Sequence, residues 1–349
     1  MRPVDIQPAF FLVSNMVRRI LFYLIIAVGV LCVFLTLLSL LYNTRFWFLK
    51  VIDFPREQTL VACLICLVAF VAINRRWVTS AVLLVLGLIA AAALLASIIL
   101  PYTPFWPKAA PDAGTAAASR ANTVSLVVAN VLMKNRNADG FLHIVDEANP
   151  DMVLAMETNK WWAGHLESLK ERYPYTILYP LDNTYGMLLY SKLPYIRFLE
   201  HDSVPSFQVE AKLPGGSWFI LHAVHPVPPV PSPYPDNIRK EGQKEVVLLK
   251  IGEMVAAHVA PTVIAGDFND VAWSSTSRLF GQKSKLNDVR VGRGFYNSFN
   301  AHSFIMRWPL DQIYVSSHFR VLELKRLSKY GSDHFPMYVQ LVLQPPAGD

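Results

Sequence analysis

Apolar residues crowd into the first hundred positions of this chain, in three runs over residues 20–42, 59–73 and 77–100. A helix needs about 20 apolar residues to cross a bilayer, so the first and third runs are long enough and the middle one is shorter. The pattern predicts three transmembrane helices over these ranges, with Asn74-Arg75-Arg76 as a polar hairpin between the second and third. For the middle run the alternative is a helix buried in a soluble core. The first run is too long for the core of a signal peptide, and no small-residue cleavage site follows it. No acidic residue interrupts any of the three, which argues for an anchor and against an ion pathway or a transporter.

Beyond residue 100 the pattern changes. Pro101, Pro104, Pro107 and Pro111, with several alanines, predict a semi-rigid linker over 101–121. Short β-branched runs then alternate with amphipathic stretches. Strands are expected over 123–129, 152–156, 187–190, 206–213, 218–224, 262–265, 312–316 and 337–343. Helices are expected over 137–147, from Trp161 to Arg172, over 237–259 and over 273–280, and Gly215-Gly216 reads as a hairpin turn. The Pro-rich stretch that follows residue 225, as far as Pro235, is expected to be a surface loop. This alternation predicts an α/β domain over 122–349.

The net charge of +6 sharpens the division. From Ala121 onward, 22 Lys plus Arg face 22 Asp plus Glu, so the excess lies entirely in the N-terminal part. The basic balance therefore reflects membrane topology and is no nucleic-acid footprint. Arg2, Arg18, Arg19, Arg75 and Arg76 fall on one side of the apolar runs; Arg45, Lys50, Arg56, Lys108 and Arg120 fall on the other. The Arg18-Arg19 pair abuts the first run, which predicts an inside N-terminus and an extracytoplasmic C-terminal domain. The three cysteines, Cys32, Cys63 and Cys66, lie inside apolar runs, and the C-terminal half has no disulfide framework.

The candidate chemistry sits where expected strands end. Asn130 and Glu157 close two strands separated by one helix. His225 closes another and is held there by Pro226, Pro228 and Pro229. Gly266 allows a tight turn, after which Asp267 and Asn269, two apart, share a face. Asp311 opens a strand, and Asp333-His334 precedes the last one. His222 reads as a packed residue. Each carboxylate taken singly is as readily a cap or a turn. In layered α/β folds, however, sites lie at strand ends, and this ordered set supplies metal ligands, a proton acceptor and a proton donor together.

The pieces Ala-Asn-Val at 129–131, Met-Glu-Thr at 156–158, Gly-Asp-Phe-Asn at 266–269, Leu-Asp-Gln-Ile at 310–313 and Ser-Asp-His-Phe-Pro at 332–336 resemble the endonuclease/exonuclease/phosphatase superfamily. Its members include pancreatic deoxyribonuclease, abasic-site endonucleases, sphingomyelinases and inositol phosphatases. The chain looks most like bacterial members with an N-terminal membrane anchor. The resemblance implies a four-layered α/β sandwich of two packed mixed sheets with a site at one end. It implies Mg²⁺ or Mn²⁺ on Glu157, with Asn130 and Asp333 close by. Asp267 or His334 would activate the attacking water, Asn269 would orient the phosphate, and Asp311 would fix the His334 ring. His225 matches a second histidine of the deoxyribonuclease-like branch, placed to protonate the leaving oxygen or bind the phosphoryl group. The acidic partner that supports it there has no clear match; Asp182 and Glu210 are the nearby carboxylates.

The function expected is that of a metal-dependent phosphoesterase in the bacterial cell membrane, hydrolysing phosphodiester or phosphomonoester bonds by in-line attack of water. Nucleic acid, phospholipid and small phosphorylated metabolites are the candidate substrates. Lys283, Lys285, Arg290 and Arg293 cluster around one loop, but such a run is more often a solvated face, and the neutral balance weighs against tight binding of long polyanions. A bilayer anchor raises the effective concentration of lipid substrates. The competing class is a non-catalytic scaffold on the same fold, against which Glu157, Asp267 and His334 are all retained. The sequence suggests no protein partner.

Overall fold

The structure, a computed structural model, describes residues 7–41, 46–114, 118–200, 206–228 and 243–344. It divides into two compact units, Met1–Leu100 and Pro101–Asp349.

The first unit contains α1 (Gln7–Leu38), a short α2 (Trp47–Val51), α3 (Arg56–Ile73) and α4 (Thr79–Ile99). Three of its helices are long and apolar enough to cross a membrane, over Met16–Leu38, Arg56–Ile73 and Thr79–Tyr102. The middle helix starts three residues before the apolar run and so reaches spanning length. The first ends at Leu38, and Tyr42, where the apolar run ends, lies outside the described residues. Cys32, Cys63, Cys66, Leu88, Ala91 and Leu95 form the interior of the bundle, where small side chains let helices approach closely. Arg56 is buried; its Nη2 lies 2.7 Å from Asp53 Oδ1 and donates to the Ser39 carbonyl at 3.0 Å. It therefore belongs to an internal pair and not among the free loop charges.

The second unit is built on two six-stranded sheets. The first orders its strands β11 (Phe319–Arg326), β12 (Met337–Leu343), β1 (Thr123–Asn130), β2 (Met152–Met156), β4 (Met187–Ser191) and β3 (Tyr175–Tyr179). The second orders β5 (Tyr195–Glu200), β6 (Ser206–Lys212), β7 (Trp218–Val224), β8 (Thr262–Asp267), β10 (Asp311–Val315) and β9 (Asn287–Asp288). β1–β2 and β7–β8 are parallel pairs and the others antiparallel, so both sheets are mixed. Strand alternation explains the layering. On β1, Val124, Leu126 and Val128 meet Phe219, Leu221 and Val263 of the opposite sheet. Val127 and Ala129 turn outward to α5 (Ala138–Ala148) and α6 (Lys160–His165). On the far side, Val224 and Ile264 pack against α7 (Gln243–Ala257) and α8 (Ser275–Ser284). The result is the expected four-layered α/β sandwich.

Several local expectations shift. β8 runs on through Gly266 to Asp267, where a turn was expected. Gly266 is required for a different reason: a Cβ there would sit 1.8 Å from the Val224 carbonyl oxygen, and its φ is +155°. The helix expected from Trp161 to Arg172 breaks after His165 into a 3-10 segment over Glu167–Glu171. β3 and β5 carry no clear alternating signal, the alternation of β11 is broken by a register shift between Val321 and Glu323, and β3 and β11 close the edges of the first sheet. The expected helix start at 237 and the Pro-rich loop at 229–235 lie outside the described residues.

Residues 101–112, expected to be a spacer, are bonded onto the sandwich. Tyr102 Oη donates to the Ala272 carbonyl at 2.7 Å, and Gly292 N donates to the Pro101 carbonyl at 2.8 Å. Asp112 bridges Val321 and pairs with Arg293. The basic loop is partly interior as well. Arg290 is buried; its Nε and Nη2 reach the Asp288 carboxylate at 3.0 and 2.7 Å, and Nη1 reaches the Pro309 carbonyl at 3.2 Å. Half of the basic cluster therefore holds the domain together and is not available to track a polyanion.

Removing one partner of such a pair strands a buried charge. Arg290→Ala is expected to destabilise the second unit by about 3–5 kcal/mol, read as a lowered urea midpoint; a change below 1 kcal/mol would mean that the pair is solvated.

Candidate active site

The eight polar residues singled out at strand ends lie at one end of the sandwich. Asn130 closes β1, and Glu157 follows β2, whose Met156 is in register with Asn130. Asp267 closes β8 and Asp311 opens β10, and the two face each other across the antiparallel pair. His225 follows β7, while Asp333 and His334 precede β12. Strand order thus brings together residues up to two hundred positions apart.

Asp267 is at the centre and fully buried. Its Oδ2 accepts a hydrogen bond from Asn130 Nδ2 at 2.9 Å and lies 3.7 Å from His334 Nε2 and 3.8 Å from His225 Nε2. Its Oδ1 accepts from the Asn269 backbone N–H at 2.7 Å. Asn130 Nδ2 also donates to Glu157 Oε1 at 2.9 Å, while its Oδ1 accepts from Leu132 N at 3.0 Å. That acceptor fixes the amide orientation, so Asn130 turns its NH₂ toward both carboxylates and ties the two sheets together. It orients Glu157 in this geometry and does not offer it a shared oxygen. Behind the site, His334 Nδ1 is 2.7 Å from Asp311 Oδ2, and the backbone N–H of Asp311 donates to Ser298 Oγ at 3.0 Å. The Asp311 carboxylate thus lies against the Nδ1 edge of the His334 ring. Asp333 is only partly buried, and its carboxylate adds to the negative charge around His334.

Two backbone features set side chains here. Glu157 and Asn269 have φ of +57° and +51°, a region costly for residues other than glycine and tolerated best by Asn and Asp. The Glu157 turn is pinned by Gly186: Thr158 N donates to the Gly186 carbonyl at 3.0 Å, and a Cβ at Gly186 would lie 1.8 Å from the Thr158 oxygen. The turn at Asn269 sends its side chain away from the Asp267 carboxylate. Nδ2 donates to the Pro226 carbonyl at 2.9 Å, which fastens the segment after His225 to the segment after β8.

The charges follow from these contacts. Burial opposes a charged imidazolium at His334, but Asp311 and Asp267, the hydrogen bond to Asp311 and the Asp333 charge outweigh it and push the pKa up to about 10. Burial also pushes Asp311 up, against the pull of His334. The proton between them is therefore held to high pH. Burial would raise Asp267 too, yet His334, His225, Asn130 and the Asn269 N–H together lower it below its usual value.

Asp267, Asp311 and His334 also form a buried group able to hold a metal ion, with one ligand atom from each within 4.8 Å of the others. Glu157, Asn130 and Asp333, the ligands implied by resemblance, flank it. The residues fit a hard divalent cation: the donors are mostly carboxylate oxygens, and among the described residues Asp311 Oδ1 is buried with no hydrogen-bond partner. His225 differs from expectation. Neither Asp182 nor Glu210 hydrogen-bonds it; among the described residues its Nδ1 is buried without a partner, and the ring packs beside Tyr185 with centroids 5.6 Å apart. By alternation along β6, Glu210 faces away from the inter-sheet core that holds Val209 and Ala211.

Some supporting residues carried little sequence signal. Ser332 Oγ donates to the Asn130 carbonyl at 2.8 Å and accepts from the His334 backbone at 3.0 Å. Tyr330 Oη reaches the same carbonyl at 3.2 Å, and Met156 Sδ accepts from Asp267 N at 3.1 Å. Only Ser332, inside the Ser-Asp-His-Phe-Pro stretch, was visible as part of a motif.

The sequence pattern of the endonuclease/exonuclease/phosphatase family matches residues 127–334, which span this whole constellation. The chain belongs to the endonuclease/exonuclease/phosphatase family. No curated protein matches it in sequence. Among solved structures, the human Nocturnin catalytic domain with bound sulfate is 14% identical with a TM-score of 0.50, over 64% of this chain and 95% of that one. The Bacteroides vulgatus endonuclease/exonuclease/phosphatase is 17% identical with a TM-score of 0.49, over 64% and 99%. D. rerio TDP2 complexed with a single-strand DNA product is 18% identical with a TM-score of 0.49, over 63% and 98%. At 14% identity the likeness to the Nocturnin domain concerns the fold alone.

The Asp311–His334 pair predicts a pH signature. The folded His334 pKa of about 10 lies above the ordinary 6.5, so its stabilising contribution is full below about 6.5 and is lost as pH rises through about 10. Unfolding midpoints measured across that window are expected to fall with pH in the parent and to fall less in Asp311→Asn. Equal slopes in both would rule out the pairing as the cause.

Proposed function

We propose that this chain is a membrane-anchored, divalent-metal-dependent phosphoesterase that hydrolyses phosphodiester or phosphomonoester bonds by in-line attack of water. The observation that carries this reading is the position of Asp267: a buried carboxylate locked by Asn130, between the Nε2 atoms of two histidines at 3.7 and 3.8 Å.

Mg²⁺ or Mn²⁺ would be held by Glu157, with Asn130 orienting that carboxylate and Asp333 alongside. An ion on the Asp267–Asp311–His334 group would compete with the 2.7 Å Asp311–His334 bond, which favours the Glu157 position. When bound, the ion neutralises phosphoryl charge as it builds in the transition state. The protein's own residues then divide the remaining work. Asp267, lowered and ionised, accepts the proton of the attacking water as the new O–P bond forms. His334, kept charged by Asp311, donates from Nε2 to a phosphoryl oxygen. His225 gives its proton to the leaving oxygen as the old P–O bond breaks. Asn269 holds the segment carrying His225 in place through Pro226, beside the phosphate that it would help to orient. Of the two candidates for the base, this arrangement favours Asp267, because His334 already holds its proton.

The three candidate spans support anchoring in a membrane, and the Arg18-Arg19 pair supports a catalytic unit on the extracytoplasmic face. The substrates open to such an enzyme are phospholipid, nucleic acid and small phosphorylated metabolites.

Hydrolysis of bis-p-nitrophenyl phosphate by the purified chain is expected to require Mg²⁺ or Mn²⁺ and to vanish in Glu157→Ala without loss of fold. Undiminished turnover of that variant in excess metal would remove the Glu157 assignment. Asp267→Asn and His334→Ala are each expected to lower kcat by about 10²–10⁴-fold. A raised KM with unchanged kcat would contradict transition-state roles for them.

A further inference from the structure

Residues 300–307 form a turn beside the site that serves no purpose in the chemistry above. Its tip presents three consecutive apolar side chains to solvent: Phe304 is 90% exposed, Ile305 75% and Met306 48%. Exposing one large apolar side chain is ordinary; a contiguous apolar protrusion signals a surface it meets.

The turn is built and not slack. Ser303 Oγ accepts the backbone N–H groups of Ile305 at 3.3 Å and Met306 at 2.9 Å. Asn300 Oδ1 accepts from His302 N at 2.8 Å, and the Asn300 carbonyl accepts from Ser303 N at 3.1 Å. Arg307 Nε closes the loop on the Ser303 carbonyl. Four backbone donors at the tip thus have partners inside the turn. Each donor paired inside the turn lowers the cost of entering an apolar phase, where an unsatisfied peptide group costs several kcal/mol.

Its stem is part of the active site. Phe299 bridges the backbones of Trp308 and His334, and its ring centroid lies 5.0 Å from the His334 ring. Ala301 N donates to the Asp333 carbonyl at 2.7 Å. Two cations collar the base: the Arg307 guanidinium lies 5.1 Å from the Phe304 ring and from the Phe335 ring, and that of Arg326 lies 4.4 Å from the Phe335 ring. An apolar tip beside two arginines suits acyl chains beneath anionic or zwitterionic headgroups.

We propose that Phe304, Ile305 and Met306 enter the acyl region of a lipid surface, with Arg307 and Arg326 at headgroup level. The site beside them then receives phosphoesters presented by that surface. This rests on the phosphoesterase reading for its substrate and on the turn alone for insertion. Because the stem is bonded to Asp333 and packs its Phe299 ring against His334, insertion also fixes the height of the catalytic pair above the lipid. A soluble polyanion would have no use for the tip.

Two measurements on the full chain in phosphatidylcholine–phosphatidylglycerol (3:1) bilayers test this. Ile305→Cys carries an NBD label, with the unsubstituted chain as background, since Cys32, Cys63 and Cys66 are buried. Val259→Cys is the control: also strongly exposed, at 94%, it lies before β8, at the other end of that strand from Asp267. Acyl-brominated lipid is expected to quench the label at 305 at least threefold more than the label at 259. Equal quenching overturns the proposal. The second measurement compares hexadecyl p-nitrophenyl phosphate in the bilayer with bis-p-nitrophenyl phosphate in solution. In a chain carrying F304S, I305S and M306S, the ratio of bilayer to soluble turnover is expected to fall at least tenfold. An unchanged ratio overturns the proposal. If the parent hydrolyses neither probe, the phosphoesterase reading fails by itself, and quenching at 305 still decides insertion.

Discussion

A single carboxamide holds this site together. Asn130 Nδ2 donates at 2.9 Å to Glu157 on its own sheet and at 2.9 Å to Asp267 on the other. Two carboxylates this close repel, and burial makes the repulsion worse. An uncharged donor between them keeps both in place without neutralising either. The remaining groups are arranged around that point. His225 and His334 turn their Nε2 atoms toward the same Asp267 oxygen that Asn130 bonds, and Asp311 backs His334. Ser332 and Tyr330 hold the Asn130 backbone from behind.

The fold was readable where periodicity and punctuation agree. Buried strands such as 123–129 and 262–265 announce themselves through β-branched runs, and the residues at their ends fell into one site. The pieces that escaped depended on neighbours distant in sequence. Gly266 looks like a turn glycine, yet its constraint is the Val224 carbonyl on the adjacent strand. Arg290 looks like a surface charge until Asp288 and Pro309 enclose it. Residues 101–112 read as a spacer by composition, because the surfaces they dock on, Ala272, Gly292 and Val321, are more than 150 positions away. The contact of Asn269 was hidden for a similar reason: the left-handed backbone at that position brings its side-chain amide to the Pro226 carbonyl.

Placing ionised groups in a water-poor interior has a price in stability, and the domain meets it with packing. Two sheets share a core of Val, Leu, Ile, Phe and Met side chains, and each sheet has its own helical cover. The Arg290–Asp288 pair and the docked segment 101–112 brace the side that carries α8. A rigid frame of this kind suits chemistry in which little covalent work falls to the protein and most of the rate comes from positioning and electrostatics.

The pairing of β1 with β12 carries a consequence for how the molecule is made. β1 is the first strand of the catalytic unit to leave the ribosome, and its antiparallel neighbour, Met337–Leu343, is the last. Until then β1 has β2 on one side and an open edge on the other, an arrangement prone to wrong partners. His334 arrives with that final strand. A nascent or prematurely ended chain therefore contains Glu157 and Asp267 without the imidazole between Asp267 and Asp311. The imidazole thus joins the cluster in the same step that seals the sheet.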